Sequence, residues 1–349
     1  MSPANDYTNN AADSLVTIRD VAARAGVSVA TASRALSGNR AVSAASFRTV
    51  TRAAADLGYR PNRIASALRR QVTDTIGLVV PQISNPFFPM LIEAVHTQLQ
   101  SSPKQMLLCD AMQDPHAEGQ RLRALLDHKV DGILISPCDS DRSREAVHAT
   151  AQRVPLVQVD RHIPGEDSDW VAVDDKAGME LIITHLVARG ARRVVFVGAV
   201  PAGASSAQLR MISFTDAVHR LGLEALPPLL GGFTTEWGVS AGRSLLERGD
   251  LPDAVVCASD TIALGLLRVL VRARVRVPED VLLTGFDDVG AAALSIPSLT
   301  TVRQPFDVLA REALRLLKDR ADRRDAPGQR IAVSPQLVIR ESTAGYEEE

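Results

Sequence analysis

Aromatic side chains are scarce in this 349-residue chain: phenylalanine, tyrosine and tryptophan together make up 4%. The adjacent pair Phe87-Phe88 and the isolated Trp237 therefore stand out as candidate faces against a ligand. Cysteine is nearly absent. Cys109, Cys138 and Cys257 are odd in number, far apart and without a CxxC spacing. That excludes a disulfide framework and a thiolate zinc site, and it fits small buried side chains in a reducing compartment. No apolar run approaches the ~20 residues that cross a bilayer, so no membrane partner is expected. The polar opening MSPANDYTNNAADS lacks the apolar stretch of a secretory signal, and a cytoplasmic location is expected. The seven histidines are scattered, and GxGxxG after the first strand, P-loop, HExxH and GxSxG are all missing. No catalytic residue, no metal and no cofactor is expected, and an enzyme is the weaker reading.

What is present is unevenly spread. Hydrophobic residues make up 46%, enough for several cores, and the length suits two or three domains. The net charge is -2, yet the first seventy residues hold ten arginines, no lysine and four aspartates, a net +6 that leaves -8 for the rest. A basic head on an acidic body points to a polyanionic partner for the head alone.

Residues 1–15 read as a disordered lead. Three short helical patterns follow, capped by Thr17, Ser28 and Ser43, with Gly26 ending the first and Ser37-Gly38-Asn39 the second. Three helices in about forty residues with a tight turn between the first two make a helix-turn-helix. In that architecture the start of the second helix meets base edges, here Ser28, Val29, Ala30 and Thr31, with Ser33 and Arg34 a turn later. Pro61 breaks the chain, and Asn62 can cap a short basic segment ending at Arg69-Arg70.

From Thr75 the pattern changes to short apolar strands alternating with helices, beginning with Ile76–Val80 and continuing through Val281–Gly285. Such alternation builds parallel sheets, and about 270 residues of it suit two doubly wound lobes with a ligand cleft at the strand ends. In such a cleft a carboxylate can accept two vicinal hydroxyls of a polyol at once, and a guanidinium donates in a matching fork. Asp319–Gln329 reads as an exposed loop and 346–349 as an acidic tail.

The segments TIRDVAARAGVSVATASRALSG, VSAAS and LGYRPNRIASALR closely resemble the LacI/GalR family, the lactose-repressor type of bacterial transcription regulator. SNPFFPMLIEAV, VDGILISP, VPLVQVDR, ASDTIALGLLRVL, VPEDVLLTGFDD and PSLTTVRQPF extend the resemblance along the chain. It implies a helix-turn-helix domain at 16–61 and a hinge helix and linker at 62–73. It further implies a periplasmic-binding-protein-like effector and dimerisation domain at 74–345, with one lobe over 74–172 and 304–330 and the other over 174–302 and 331–345. The crossings between lobes are expected near Val173, Arg303 and Ile331. The implied function is a homodimeric regulator, a repressor in the first instance, on pseudo-palindromic double-stranded operator DNA, controlled by a sugar-like small molecule. The implied DNA-contacting set is Thr17, Ser28, Val29, Ala30, Thr31, Ser33, Arg34, Asn39, Tyr59 and Asn62, with Ala65 beside Leu68, the residue that would wedge into the minor groove. The implied effector set is Phe87, Phe88, Asp160, Arg161, Arg210, Phe233, Trp237, Ser259 and Asp287. The helix around Phe88–Gln100 is expected in the dimer surface. The sequence departs from the family at Ser46-Phe47, where members carry Thr-Arg, at Thr49, where they carry a basic residue, and at Ser259, where many carry Asn. A transport receptor with the same body would need a signal peptide and no head. Repressor against activator, and inducer against co-repressor, stay open.

Overall fold

The computed structural model describes residues 16–36, 42–59, 72–163, 168–200 and 206–344. The chain divides into two compact units, Met1–Thr73 and Asp74–Glu349, each with its own core.

In the first unit α1 (Ile18–Ala25), α2 (Val29–Leu36) and α3 (Ala44–Asp56) are set by local chemistry. The Asp20 carboxylate accepts from the Thr17 backbone N–H at 2.8 Å and its hydroxyl at 2.7 Å, satisfying one end of α1. Gly26 takes φ 64° and closes the other end, a conformation that costs a side-chain-bearing residue more. Ser28 and Ser43 accept from the backbone N–H groups of Thr31 and Ser46, which starts α2 and α3. The core is Val21, Ala22, Ala32, Ala35, Val50, Ala53 and Ala54, small side chains that let three short helices approach.

In the second unit one sheet has the order β11-β5-β4-β3-β1-β2 and the other β7-β6-β8-β9. The first lobe's strands are β1 (Thr75–Val80), β2 (Gln105–Asp110), β3 (Gly132–Ile135), β4 (Leu156–Val159), β5 (Asp169–Val173) and β11 (Arg330–Val333). Its helices are α4 (Phe87–Leu99), α5 (Pro115–Asp127), α6 (Arg144–Ala151) and α12 (Phe306–Asp322). The second lobe holds α7 (Asp175–Ala188), β6 (Arg193–Ala199), α8 (Ser206–Leu221), β7 (Glu224–Gly231), α9 (Thr235–Glu247), β8 (Ala254–Cys257), α10 (Asp260–Arg272), β9 (Leu282–Thr284) and α11 (Gly290–Leu294). All pairings within these two sheets are parallel. That explains the near-continuous apolar runs, since such strands are covered on both faces. β10 (Thr301–Arg303) and β12 (Gln336–Val338) pair antiparallel where the chain passes between lobes, and α13 (Glu341–Ala344) closes the described chain.

Three local features differ from what the sequence pattern suggests. β7 contains Pro227-Pro228, which argue against a strand. They are tolerated because β7 is an edge strand and its register against β6 shifts between Val195 and Val197. α12 runs on to Asp322, so the loop expected from Asp319 begins later. Arg320 on that last turn donates to both carboxylate oxygens of buried Asp169, at 2.7 and 3.0 Å, which anchors the turn to β5. The last passage between lobes falls after Val333, beyond Ile331, because β11 pairs with β5 through Val333.

α9 and α10 approach through facing glycines. A Cβ on Gly265 would lie 2.2 Å from the Thr235 carbonyl oxygen, and one on Gly238 would lie 2.1 Å from that of Ile262. Backbone cannot yield there as a flexible side chain would, so Gly265→Ala is expected to cost about 1–3 kcal/mol by forcing the helices apart. An unchanged denaturation midpoint would contradict this packing.

Candidate ligand cleft and DNA-reading surface

The C-terminal ends of β4 and β9 place Asp160 and Asp287, and both take positive φ, 67° and 115°. Side-chain-bearing residues rarely hold such angles, and they persist where surrounding contacts enforce them. Asp160, Arg161, Arg210 and Asp287 line one cavity together with Asn85, Phe87, Phe88, Ser206 and Phe233. Phe87 and Phe88 meet edge to face at 5.0 Å and are almost wholly buried, so their wall is rigid. The cavity volume is about 20 Å³, about the room of one water.

Arg210 is the hub. Its Nε donates to Asp175 at 2.7 Å, and one terminal nitrogen donates to the Ala258 carbonyl at 2.7 Å and to Asp287 at 3.4 Å. The guanidinium also lies 3.7 Å over the Phe286 ring. Burial alone would lower its pKa, but Asp175 and Asp287 more than offset that and hold the charge. Burial pushes the Asp160 carboxyl up to about 6, against the pull of Arg161 and Arg210. It pushes Asp287 up to about 7, against the pull of Arg210 and of Gln304, whose amide donates to Asp287 at 2.7 Å. Asp175 is raised by burial as well.

Of the nine effector residues suggested by resemblance, the structure brings Phe87, Phe88, Asp160, Arg161, Arg210, Phe233 and Asp287 to this cavity. Trp237 and Ser259 are not among the residues that line it. The Trp237 indole N–H donates to the Gly198 carbonyl at 3.0 Å and its ring packs so closely over Gly231 that a Cβ there would sit 2.2 Å away. Ser259 caps α10 by accepting from the Ile262 N–H. Asn85, Ser206 and Gln304 were not singled out from the sequence. Asn85 and Gln304 lie in the segments SNPF and VRQPF that carry the resemblance, which was the available signal. Gln304 is 3% exposed and its Oε1 has no partner, an acceptor left over beside Asp287. A larger groove of about 440 Å³ runs between α7 and α8 past Lys176, Glu180 and Arg220, but its charged walls are largely solvated.

On the head, Ser28, Val29, Ala30 and Arg34 are exposed at and along α2, and Thr31 and Ser33 are half-buried. Ser28 and Thr31 hydroxyls bond each other at 2.9 Å, and Arg34 Nε reaches back to the Ala30 carbonyl at 3.2 Å. Thr17 is exposed at the start of α1, and Tyr59 packs half-buried against the head core. Asn39, Asn62, Ala65 and Leu68 lie outside the described residues. Phe47 is 48% exposed on α3. Among the described residues no cluster of His, Cys, Asp or Glu could hold a metal, and no helix is long and apolar enough to cross a membrane.

Residues 17–62 match the family described as bacterial regulatory proteins, lacI family, and residues 183–343 match a periplasmic binding protein-like domain. The chain is 31% identical over 334 residues to the ribose operon repressor of Halalkalibacterium halodurans, covering 95% of this chain and 98% of that one. It is 33% identical over 332 residues to the transcriptional regulator GalR of Escherichia coli, covering 95% and 96%. It is 32% identical over 331 residues to the transcriptional repressor PurR of Mannheimia succiniciproducens, covering 94% and 98%. Among solved structures, the lac repressor dimer bound to operator and the anti-inducer ONPF matches with a TM-score of 0.86 at 25% identity, covering 94% and 99%. The CelR–cellobiose complex matches with a TM-score of 0.70 at 32% identity, covering 94% and 99%.

Proposed function

The chain belongs to the lacI family of bacterial regulatory proteins, and from that premise we propose that it is a repressor released or engaged by a small neutral sugar held between the lobes of its body. It is a sequence-specific DNA-binding transcription regulator and not an enzyme. The repressor reading is supported by the names of its relatives, and the cytoplasm is where its operator would be met. In this reading residues 16–61 form the head, and two heads of a homodimer read two half-sites, with Leu68 at the centre.

One observation carries the sugar reading. Asp160 from the first lobe and Asp287 with Arg210 from the second converge on one cavity walled by Phe87 and Phe88. Paired acceptors and a planar donor suit vicinal hydroxyls, and aromatic faces suit the C–H side of a sugar ring. The lining carries two carboxylates, Asp160 and Asp287, and two guanidinium groups, Arg161 and Arg210, and Arg210 also bonds Asp175. Both arginines already face carboxylates, Arg161 at 3.8 Å from Asp160 and Arg210 at 3.4 Å from Asp287, so a phosphate or carboxylate on the ligand meets no unpaired cation in a dry site, and sugar phosphates and sugar acids are disfavoured. The cavity is far below the few hundred Å³ of a ligand pocket, so entry requires the lobes to part. Ligand binding is thereby tied to lobe angle, and through the crossings to the head.

Calorimetric titration with D-ribose, D-galactose, hypoxanthine, ribose 5-phosphate and gluconate tests this. A neutral monosaccharide should bind once per chain and the phosphate and acid should not; the reverse ranking overturns the reading. The same titration has a pH signature. Ionised Asp160 and Asp287 each accept hydroxyls through both oxygens, whereas protonation turns one oxygen into a donor and weakens the other as an acceptor, and their values of about 6 and about 7 put that change within reach. Affinity should therefore fall from pH 8 to pH 5.5, by about tenfold or more. A flat profile would show that these carboxylates do not face the sugar.

The body exposes several large apolar side chains, as an unpaired surface would. Leu294 and Ile296 are 84% and 77% exposed, and the edge strand β2 exposes Leu107 and Leu108. Free apolar edges invite pairing, and these join α4 as the proposed dimer surface. Leu294→Asp combined with Ile296→Asp is expected to shift the chain to monomer in sedimentation and weaken operator binding. An unchanged dimer would place the interface elsewhere.

A further inference from the structure

The turn after β9 does two jobs with two adjacent carboxylates. Asp287 faces the cavity, whereas Asp288 faces the chain passages between the lobes. Arg303, the last residue of β10, donates through Nε to one Asp288 oxygen at 2.6 Å. Arg340, just after β12, donates through a terminal nitrogen to the other at 2.6 Å. β10 leads into the first lobe and β12 returns from it, and the two pair antiparallel. A single carboxylate thus fastens both of these passages, while a second Arg340 nitrogen holds the Leu299 carbonyl at 2.8 Å.

We propose that Asp288 is the positioning residue that couples occupancy of the cleft to the lobe crossings: a staple across β10 and the segment after β12, set by its neighbour Asp287. This rests on the reading of the cleft as the effector site. The turn itself is held tightly. Buried Asp260 accepts from the Val289 N–H at 2.8 Å and from the Thr301 hydroxyl at 2.5 Å, and its own N–H donates to the Phe286 carbonyl. Asp287 and Asp288 are both kept at positive φ, 115° and 56°. The Asp287 N–H donates to the Val302 carbonyl at 2.8 Å, and Gln304 donates to its carboxylate. Gln304 and Arg210 both donate to the same Asp287 oxygen, so a hydroxyl that binds this carboxylate shares it with two protein donors. Any rotation of that residue is passed through one peptide to Asp288, whose two short, charge-assisted bonds do not stretch but move their partners. A bistable element biased by one site and read by another is what coupling requires.

The test uses the full chain with Asp288→Asn, which keeps shape and tolerates positive φ but removes the charge that both arginines grip. Two measurements decide. In hydrogen exchange without ligand, segments 299–304 and 336–341 should both accelerate, because one group fastens both. Acceleration of neither or only one overturns the staple. With D-ribose as probe, the variant should bind with affinity within about threefold of the unaltered chain. The fold-change in operator affinity that D-ribose causes should shrink at least fivefold. Coupling that survives intact overturns the proposal. Arg303→Gln, at a half-exposed side chain that a fold can spare, should reduce the same coupling and guards against a variant that fails to fold. If the unaltered chain binds no D-ribose, that sugar assignment fails alone, and the exchange measurement still decides on Asp288.

Discussion

Arg210→Ala is expected to abolish the sugar response while leaving operator binding in place. The side chain reaches Asp175, Asp287 and the Ala258 carbonyl at once and lies over Phe286. Its loss removes the planar donor facing the cavity and leaves two carboxylates buried without a cation. Hydrogen bonds to charged groups contribute about 1.5–3 kcal/mol each, so a loss of even one or two sugar contacts lowers affinity by about a hundredfold. The vacated carboxylates would take up protons, and the body would lose about 3–5 kcal/mol, the usual cost of breaking a buried pair from one side. Arg210→Lys keeps the charge without the fork and should still lose at least about tenfold in affinity, which separates the lost sugar contact from the lost stability. Calorimetry that returns the unaltered affinity for either variant would remove Arg210 from the site.

A chain beginning at Asp74 is expected to lose specific operator binding altogether, by about a thousandfold or more, while still binding the sugar. The body carries its own cores and forms a separate compact unit, so its loss of DNA binding would not be a loss of fold. It is acidic, and the net positive charge that attracts phosphates sits in the first seventy residues. If band-shift titration found the shortened chain still specific for the operator, the division between reading head and sensing body would not stand.

How far the sequence spoke depended on how local the cause was. Ser28 and Ser43 mark helix starts because a short hydroxyl side chain can turn back on the N–H groups that follow it, and Thr17 marks one because its N–H and hydroxyl both donate to the Asp20 carboxylate, all within three residues. The alternation of apolar strands and helices needed no partner to be legible. β7 was hidden because prolines speak against a strand unless the strand is at an edge with a shifted register, which is a tertiary fact. The cleft divides the same way. Asp160 and Asp287 end strands and could be placed by position. Gln304 joins Asp287 from a separate element, and the Trp237 indole N–H is taken up by the Gly198 carbonyl, distant in sequence. Neither contact is written in local pattern. The staple at Asp288 was hidden for the same reason, since Arg303 and Arg340 meet there only after the chain has passed into the first lobe and back.

The central claim is that sugar in the body and operator at the head are thermodynamically linked. Linkage is reciprocal, so the most direct measurement is the square of four affinities: operator with and without saturating sugar, and sugar with and without saturating operator. Each should change the other by one common factor, about 5–150-fold for coupling of the usual size. Two affinities that ignore each other would mean a DNA-binding protein and a sugar-binding protein that merely share a chain.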